Sequence, residues 1–352
     1  MHNLFHGACV LAIGVCLFFA PTAHVFGDAA QDNARAAAAA EKVAAERAEK
    51  AAAAAHEAAV AAKQAAIAAD KAAGGTIKLT KRSRVESTKT LGKFDIVQLE
   101  EGWNPKETVL ILCDVWDSHH CLNAVKRLDE MVERMNQVTE KARSQGVFII
   151  HAPSDCMNFY KDHSGRKLAM ETPKAATLPQ DIGKWCYKIP AEEKGQYPID
   201  QSDGGEDDEP AEHAQWAAKL KEMGRNPRAP WKQQHAAIKI HEGDAISDSG
   251  VEVWSMLEVR GIKNVMIMGV HTNMCVLGRP FGLRRMASNG KNTVLIRDMT
   301  DTMYNPKMPP KVSHFKGTQL IIEHIEKYVC PTITSDQLIG GEVFRFKGDD
   351  GK

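Results

Sequence analysis

The run NVMIMGVHTNMCV, residues 264–276, decides the reading of this chain. Its first seven residues, Asn264 to Val270, are almost continuously apolar, as a strand buried on both faces of a parallel sheet must be. His271 to Met274 form a short polar turn, and Cys275 then opens a segment that reads as a helix over Arg279–Asn289. Strand, turn, cysteine, helix is an arrangement with a chemical use. It sets the sulfur at a helix N-terminus, where the macrodipole favours thiolate. A lone cysteine in that place is more often a small buried hydrophobe, so its neighbours have to decide.

Upstream, Thr108–Asp114 (TVLILCD) is a second apolar run, closed by an acid. Helical periodicity follows over Ala124–Gln145, then a strand over Gly146–His151. Further along come a helix over Val251–Arg260, a strand over Thr293–Arg297 and a closing helix over Gly317–Tyr328. This alternation predicts an α/β fold, a three-layer sandwich around a mainly parallel, Rossmann-like central sheet. In such sheets ligands sit outside the carboxyl ends of the strands. Asp114 ends one strand and Cys275 follows another, while Lys239 stands in Ile238-Lys239-Ile240 before a loop. A carboxylate can take a thiol proton, and a nearby ammonium favours the thiolate. Each residue also has an ordinary role: Asp as a cap or turn residue, Lys as a solvated surface group.

The rest of the chain sets the context. Its 352 residues carry 45 basic and 45 acidic side chains, so no global charge draws it to nucleic acid. Residues 8–20 are one apolar run, too short for a membrane span, and Val25-Phe26-Gly27 is a plausible cleavage site. Residues 1–27 therefore read as a signal peptide and the protein as exported, periplasmic or secreted; an uncleaved anchor is the alternative, and the only route to the membrane. Residues 28–75 are an alanine-rich helical spacer, without the heptad Leu or Ile of a strong coiled coil. A charged lead-in fills 76–104, the domain runs over 105–340 with an insertion of loops and short elements at about 155–235, and 341–352 is a tail. Within the insertion, the acidic run around Asp207 reads as a solvated loop, because its spacing does not fit a calcium loop. Two of the eight cysteines, Cys9 and Cys16, lie in the signal; the other six are irregularly spaced, which excludes a zinc ribbon and leaves disulfides open.

The segment Gly269-Val-His-Thr-Asn-Met-Cys275-Val276 resembles the nucleophile motif of the isochorismatase-like cysteine hydrolases, Gly-Val-x-Thr-x-x-Cys-Val. Thr108–Asp114 resembles that family's first strand with its catalytic Asp, Lys239 lies at a family-like distance upstream, and Arg297-Asp298 with His314 resembles its closing segment. The similarity covers roughly residues 105–340. It implies Asp114 as proton acceptor, Lys239 as stabilising cation and Cys275 as nucleophile toward an amide-type carbonyl, through an acyl-enzyme. It also implies an oxyanion hole of the His271 and Cys275 backbone N–H groups, with a cis peptide before His271. Two positions depart from the family: Ile240 follows the Lys where Pro is usual, and Trp116 stands where a pocket Gln is usual.

A second cluster, Asp117-Ser-His119-His120-Cys121, follows the first strand. With His151 it offers a metal site of Asp117, His119 and His151 for zinc or iron, although the chemistry above requires no cofactor. The resembling nicotinamidases carry their Asp and two His ligands after the second strand instead. Asp117 as a helix cap and the histidines as core or pocket lining is the plainer reading. Trp116, His119 and Phe159 are candidates for an aromatic pocket wall, and Arg279 for binding a substrate carboxylate. The expected function is an exported hydrolase of a small amide or carbamoyl-type substrate. Two rivals stand beside it: a vinyl-ether hydrolase centred on Asp114, and a non-catalytic envelope binding protein, which wide separation of Asp114, Lys239 and Cys275 would favour. The expected partners are a small-molecule substrate and a second copy of the chain in a homo-oligomer.

Overall fold

The computed structural model describes residues 39, 41–58, 75–90 and 92–350. The proposed signal, its cleavage site and most of the spacer lie outside them. The chain divides into two units, Met1–Ala59 and Val60–Lys352. In the first, residues 41–58 are helical (α1) and fully exposed, as the helix propensity of alanine interspersed with Glu and Lys dictates. No described helix is long and apolar enough to cross a membrane.

The second unit is built on one eight-stranded sheet in the order β2-β1-β8-β7-β6-β3-β4-β5. Its central strands are β3 (Thr108–Cys113) and β6 (Asn264–Val270), paired parallel. β4 (Phe148–Ala152) and β5 (Ala245–Ile246) extend the sheet beyond β3, and β7 (Asn292–Asp301) and β8 (Thr332–Ile333) beyond β6, all parallel. Every residue of β3, β4 and β6 is buried, which is why their sequences are apolar runs and not alternations.

Side chains alternate across the sheet. Leu110, Leu112, Met266 and Met268 face α2 (Leu122–Ser144), which contributes Leu128, Met131, Met135 and Val138. Val109, Ile111, Val265 and Ile267 face the opposite layer, where α5 (Gly250–Val259) and α7 (His314–Tyr328) supply Val253, Leu257, Ile321 and Ile325. Three layers result, with helices on both faces.

The lead-in is a correction. Residues 76–104 contain a hairpin of two ten-residue antiparallel strands, β1 (Ile77–Glu86) and β2 (Phe94–Trp103), and β1 joins β8 antiparallel. The charge that hid these strands is partnered: Lys81 is buried and paired with Glu101, and Arg82 and Arg84 both reach Glu326. β7 also runs four residues beyond the predicted Arg297, to Asp301, through a bulge opposite Gly269. The insertion forms loops with two short helices, α3 (Ser164–Glu171) and α4 (Pro210–Glu222). All six cysteines from Cys113 to Cys330 are free and buried, so the described residues hold no disulfide.

Candidate active site

From β3 the chain moves outward to β4 and β5, then returns to place β6 on the other side of β3. That reversal makes the gap beyond the carboxyl ends of β3 and β6 the switch point of the sheet, where open α/β folds bind ligands. Asp114 follows β3 and Cys275 follows β6, so the topology brings the two together there.

Asp114 is fully buried with φ 50°, a left-handed conformation that Asp tolerates better than most residues. Its N–H donates to the Ala152 carbonyl (3.0 Å), and Oδ1 accepts the Ser154 N–H (2.7 Å). The turn after β6 is equally fixed. Gly269 has φ 125° and lies so close to β3 that a Cβ would meet the Cys113 carbonyl oxygen at 2.0 Å. The Val270–His271 peptide is cis, as the resemblance implies. Thr272–Val276 is a wide π-type turn, clamped by Thr272 Oγ1 to Thr300 Oγ1 (2.7 Å) and by Asn273, which both accepts from the Met303 N–H and donates to its carbonyl. The regular helix α6 starts only at Leu283 (Leu283–Ser288), because Pro280 and Gly282 delay it past the predicted start at Arg279.

That delay leaves Arg279 one turn beyond the cysteine, with its N–H on the Cys275 carbonyl (2.9 Å). Its Nε donates to Asp114 Oδ2 (2.9 Å), and its guanidinium lies 5.4 Å from the centre of the Trp185 ring. Cys275 is 7% exposed and lies within electrostatic range of Asp114 and Arg279. Burial pushes the thiol well above its usual range and the Asp114 charge pushes it further, against the opposing effect of Arg279. Burial also raises Asp114, less far, because Arg279 and the hydrogen bonds from Cys275 and Ser154 favour its anion. Sulfur, carboxyl and guanidinium thus form one buried, electrostatically coupled group.

Lys239 is outside this cluster. Residues 233–235 pair with 115–117, His235 N–H meeting the Val115 carbonyl (2.8 Å), and the chain then runs along α2, where the Lys239 N–H bonds Asn136 Oδ1 (3.0 Å). Ile238 turns into the α2-side core, so its neighbour Lys239 turns out and is exposed. Phe159, 59% exposed, lies with Lys239 on a surface groove away from Cys275. The cation beside Asp114 and Cys275 is Arg279, read from sequence as a substrate-binding residue; its spacing of four from the cysteine was the available signal.

The proposed metal ligands are each occupied elsewhere. Asp117 accepts from Arg225 (2.9 Å) and from the Lys232 N–H (3.0 Å). His151 lies between Gln234 (3.0 Å) and Asp244 (3.1 Å), and His119 Nδ1 accepts the Cys121 N–H (3.2 Å). Among the described residues these three form no ligand cluster, and their donor sets do not fit an ion. The one group that converges, Cys121 with Asp207 and Asp208, is committed internally. Asp208 accepts the Leu122 and Asn123 N–H groups at the start of α2 (2.8 Å each), and Asp207 takes Arg127 (2.8 Å). Within the acidic run, Asp207 and Asp208 thus turn inward and Asp208 caps α2, while residues 202–204 and Glu209 stay exposed.

Trp116 and His119 do line the space above Asp114. That space, walled also by Ser118 and His271, is a cavity of about 10 Å³, room for one water at most. Trp231 from the insertion stacks on Trp116 (4.3 Å, 12°) and roofs it, and Trp116 Nε1 donates to the Ser154 carbonyl (3.0 Å). Burial pushes His271 down to about 3, and burial with His271 and His120 lowers His119 well below its usual value, so both rings are neutral.

No family model matches the chain, and no curated protein matches it. Solved structures do. A cysteine hydrolase from Pseudomonas syringae pv. phaseolicola is 14% identical, with 67% of this chain and 92% of that one covered at a TM-score of 0.40. An isochorismatase from Pseudomonas putida is 14% identical (67% and 91% covered, TM-score 0.38). An N-carbamoylsarcosine amidase from Thermoplasma acidophilum is 11% identical (65% and 96% covered, TM-score 0.31).

Proposed function

We propose that this protein is a cysteine hydrolase of small amide or carbamoyl-type substrates, working through an acyl-enzyme on Cys275. The observation that carries this is the burial of Cys275 together with the Asp114 carboxyl, itself paired with Arg279, at the switch point of the sheet. Asp114 accepts the thiol proton as sulfur attacks the carbonyl carbon. The resulting oxyanion lies within reach of the His271 and Cys275 N–H groups. Protonated Asp114 then returns the proton to the leaving nitrogen, the C–N bond breaks, and a thioester remains. Water, deprotonated by Asp114, attacks the thioester and releases acid and free thiol. Arg279 keeps Asp114 in place and keeps it an anion when the thiol has not yet given up its proton. The space above Asp114 holds at most one water, so substrate entry requires the surrounding side chains to move.

A second reading has its own support. Asp114 is a buried carboxyl raised from its usual value, fit to act as an acid without the sulfur, as in a vinyl-ether hydrolase. One experiment separates the two. Wild type and Cys275→Ala are assayed on a panel of small amides, carbamoyl compounds and vinyl ethers, with mass spectrometry of quenched wild type. The acyl-enzyme reading expects an adduct on Cys275 and loss of turnover in the variant; turnover retained by Cys275→Ala sinks it. Loss of Lys239 from the site would favour a non-catalytic role, but Arg279 restores a coupled cation. The same reading places the enzyme outside the cytoplasm, which N-terminal sequencing of the mature chain tests by a start at Asp28.

A further inference from the structure

We propose that a cavity behind the nucleophile turn is a second ligand site, for a flat aromatic anion. The cavity has a volume of about 560 Å³, within the range of small-molecule sites. Asn273 and Met274, the two residues before Cys275, form part of its wall, and Cys275 is not among its lining. It is thus distinct from the space above Asp114, and the inference does not depend on the hydrolase reading.

Its chemistry is specific. Trp185, Tyr187 and Tyr197 supply aromatic faces. Tyr187 is 82% exposed, an aromatic ring at the rim left largely open to solvent. The floor is a saturated carboxylate: Glu192 takes Arg284 through both oxygens (2.7 and 2.8 Å), His324 Nε2 (2.9 Å) and the Ile189 N–H (2.9 Å). Burial alone would raise that carboxyl, but His324 and Arg284 hold it at about 2, so it stays charged and fully committed. A carboxylate only accepts, so His324 Nε2 donates to it. His324, 3% exposed, forms part of the cavity wall. Lys188, exposed and lining the cavity, supplies the uncompensated positive charge, since Arg284 is already neutralised by Glu192.

The test uses the full chain and indole-3-carboxylate, which carries ring and carboxylate, with indole as its uncharged counterpart. Isothermal titration is expected to show saturable binding of both. Lys188→Gln weakens the carboxylate by about fivefold, the worth of one exposed charge contact, and leaves indole unchanged. Tyr187→Ala weakens both ligands. Both substitutions are at exposed positions, so folding is not at stake. Cys275→Ala binds like wild type. The proposal fails if wild type shows no saturable binding to millimolar concentration, or if Lys188→Gln and Tyr187→Ala both bind unchanged. It fails equally if Cys275→Ala abolishes binding, because the ligand would then sit in the catalytic space.

Discussion

Asp114 and Asp301 are two versions of one arrangement with opposite outcomes. Each lies at the carboxyl edge of the sheet, after β3 and at the end of β7, each is at most 1% exposed, and each faces an arginine. For both, burial is the largest influence and raises the carboxyl. At Asp301 it is outweighed: Arg127 Nε (2.7 Å) and His314 Nε2 (2.8 Å) hold the two oxygens, and the carboxyl falls below the usual carboxylate range. At Asp114 one guanidinium, one backbone N–H and one thiol do not outweigh burial, and the carboxyl stays raised. The number and charge of the partners separates a fixed anion from a base. Asp301 knits β7, α2 and α7 together; Asp114 can take a proton.

Asparagine at each position is the widest test of that difference. Asp114→Asn should lower turnover by about 10³-fold or more, since it removes the proton acceptor. Its unfolding free energy should change by less than that of Asp301→Asn, because the amide oxygen still accepts from Ser154 and the Arg279 left behind is partly exposed, with Asp155 at 3.8 Å. Asp301→Asn should cost about 3–5 kcal/mol, leaving Arg127 short of a buried counterion, while activity per folded molecule stays close to wild type. Urea unfolding and steady-state kinetics on both variants decide it. Equal stability losses would show that the two carboxylates are the same kind of structural group.

Arg279→Gln probes the single cation at Asp114. Its removal takes away the largest influence opposing burial, so the Asp114 carboxyl climbs further and the ionised base appears only at higher pH. Turnover near neutral pH should drop by about 10²-fold, with the acid limb of kcat/KM displaced toward alkaline pH. A uniform loss with no displacement would make Arg279 a packing residue. Arg279→Lys should recover part of the activity, limited by the loss of the planar fork.

The pH dependence of stability sharpens the contrast at smaller amplitude. A depressed carboxyl contributes stability that is complete above the unfolded value of about 4 and is lost as pH falls below it. Asp301 therefore destabilises the fold from about pH 5 downward. Asp114 runs the other way: its raised value favours the folded state most below pH 4, and that contribution fades as pH rises through its folded value. Wild-type urea midpoints should fall steeply from pH 5 to 3, and the Asp301→Asn slope should be shallower. Parallel slopes would place the acid sensitivity elsewhere.

The sequence made the central sheet legible because β3, β4 and β6 are buried on both faces, and such strands are continuous apolar runs. Cys275 and Asp114 were legible because they terminate two of those runs. The β1–β2 hairpin was not, since its charges are matched across the sheet, Lys81 with Glu101 on the neighbouring strand and Arg82 with the distant Glu326. Nor was the capping of α2 by Asp208, 86 residues away from Leu122. Arg279 was visible as a residue, but its role as the cation at Asp114 was not. Spacing along the chain placed Lys239 upstream of the cysteine, while only the inward turn of Ile238 showed that the lysine faces out.

Lys239→Ala carries the smallest expected effect and bears most directly on which cation serves Asp114. Lys239 is exposed, and an ammonium in water is screened within about 8–10 Å by physiological salt. Its replacement should change kcat/KM by less than about twofold, within the range of an exposed charge far from the reacting atoms. The rate of Cys275 alkylation by iodoacetamide should be unchanged. The paired measurement is Arg279→Gln under the same conditions, where both should move. If Lys239→Ala instead falls by 10²-fold while Arg279→Gln stays active, the surface segment 236–241 must fold inward when substrate binds. Asp114 would then act with a lysine in the working enzyme, and the Asp114–Arg279 pair would describe only its resting form.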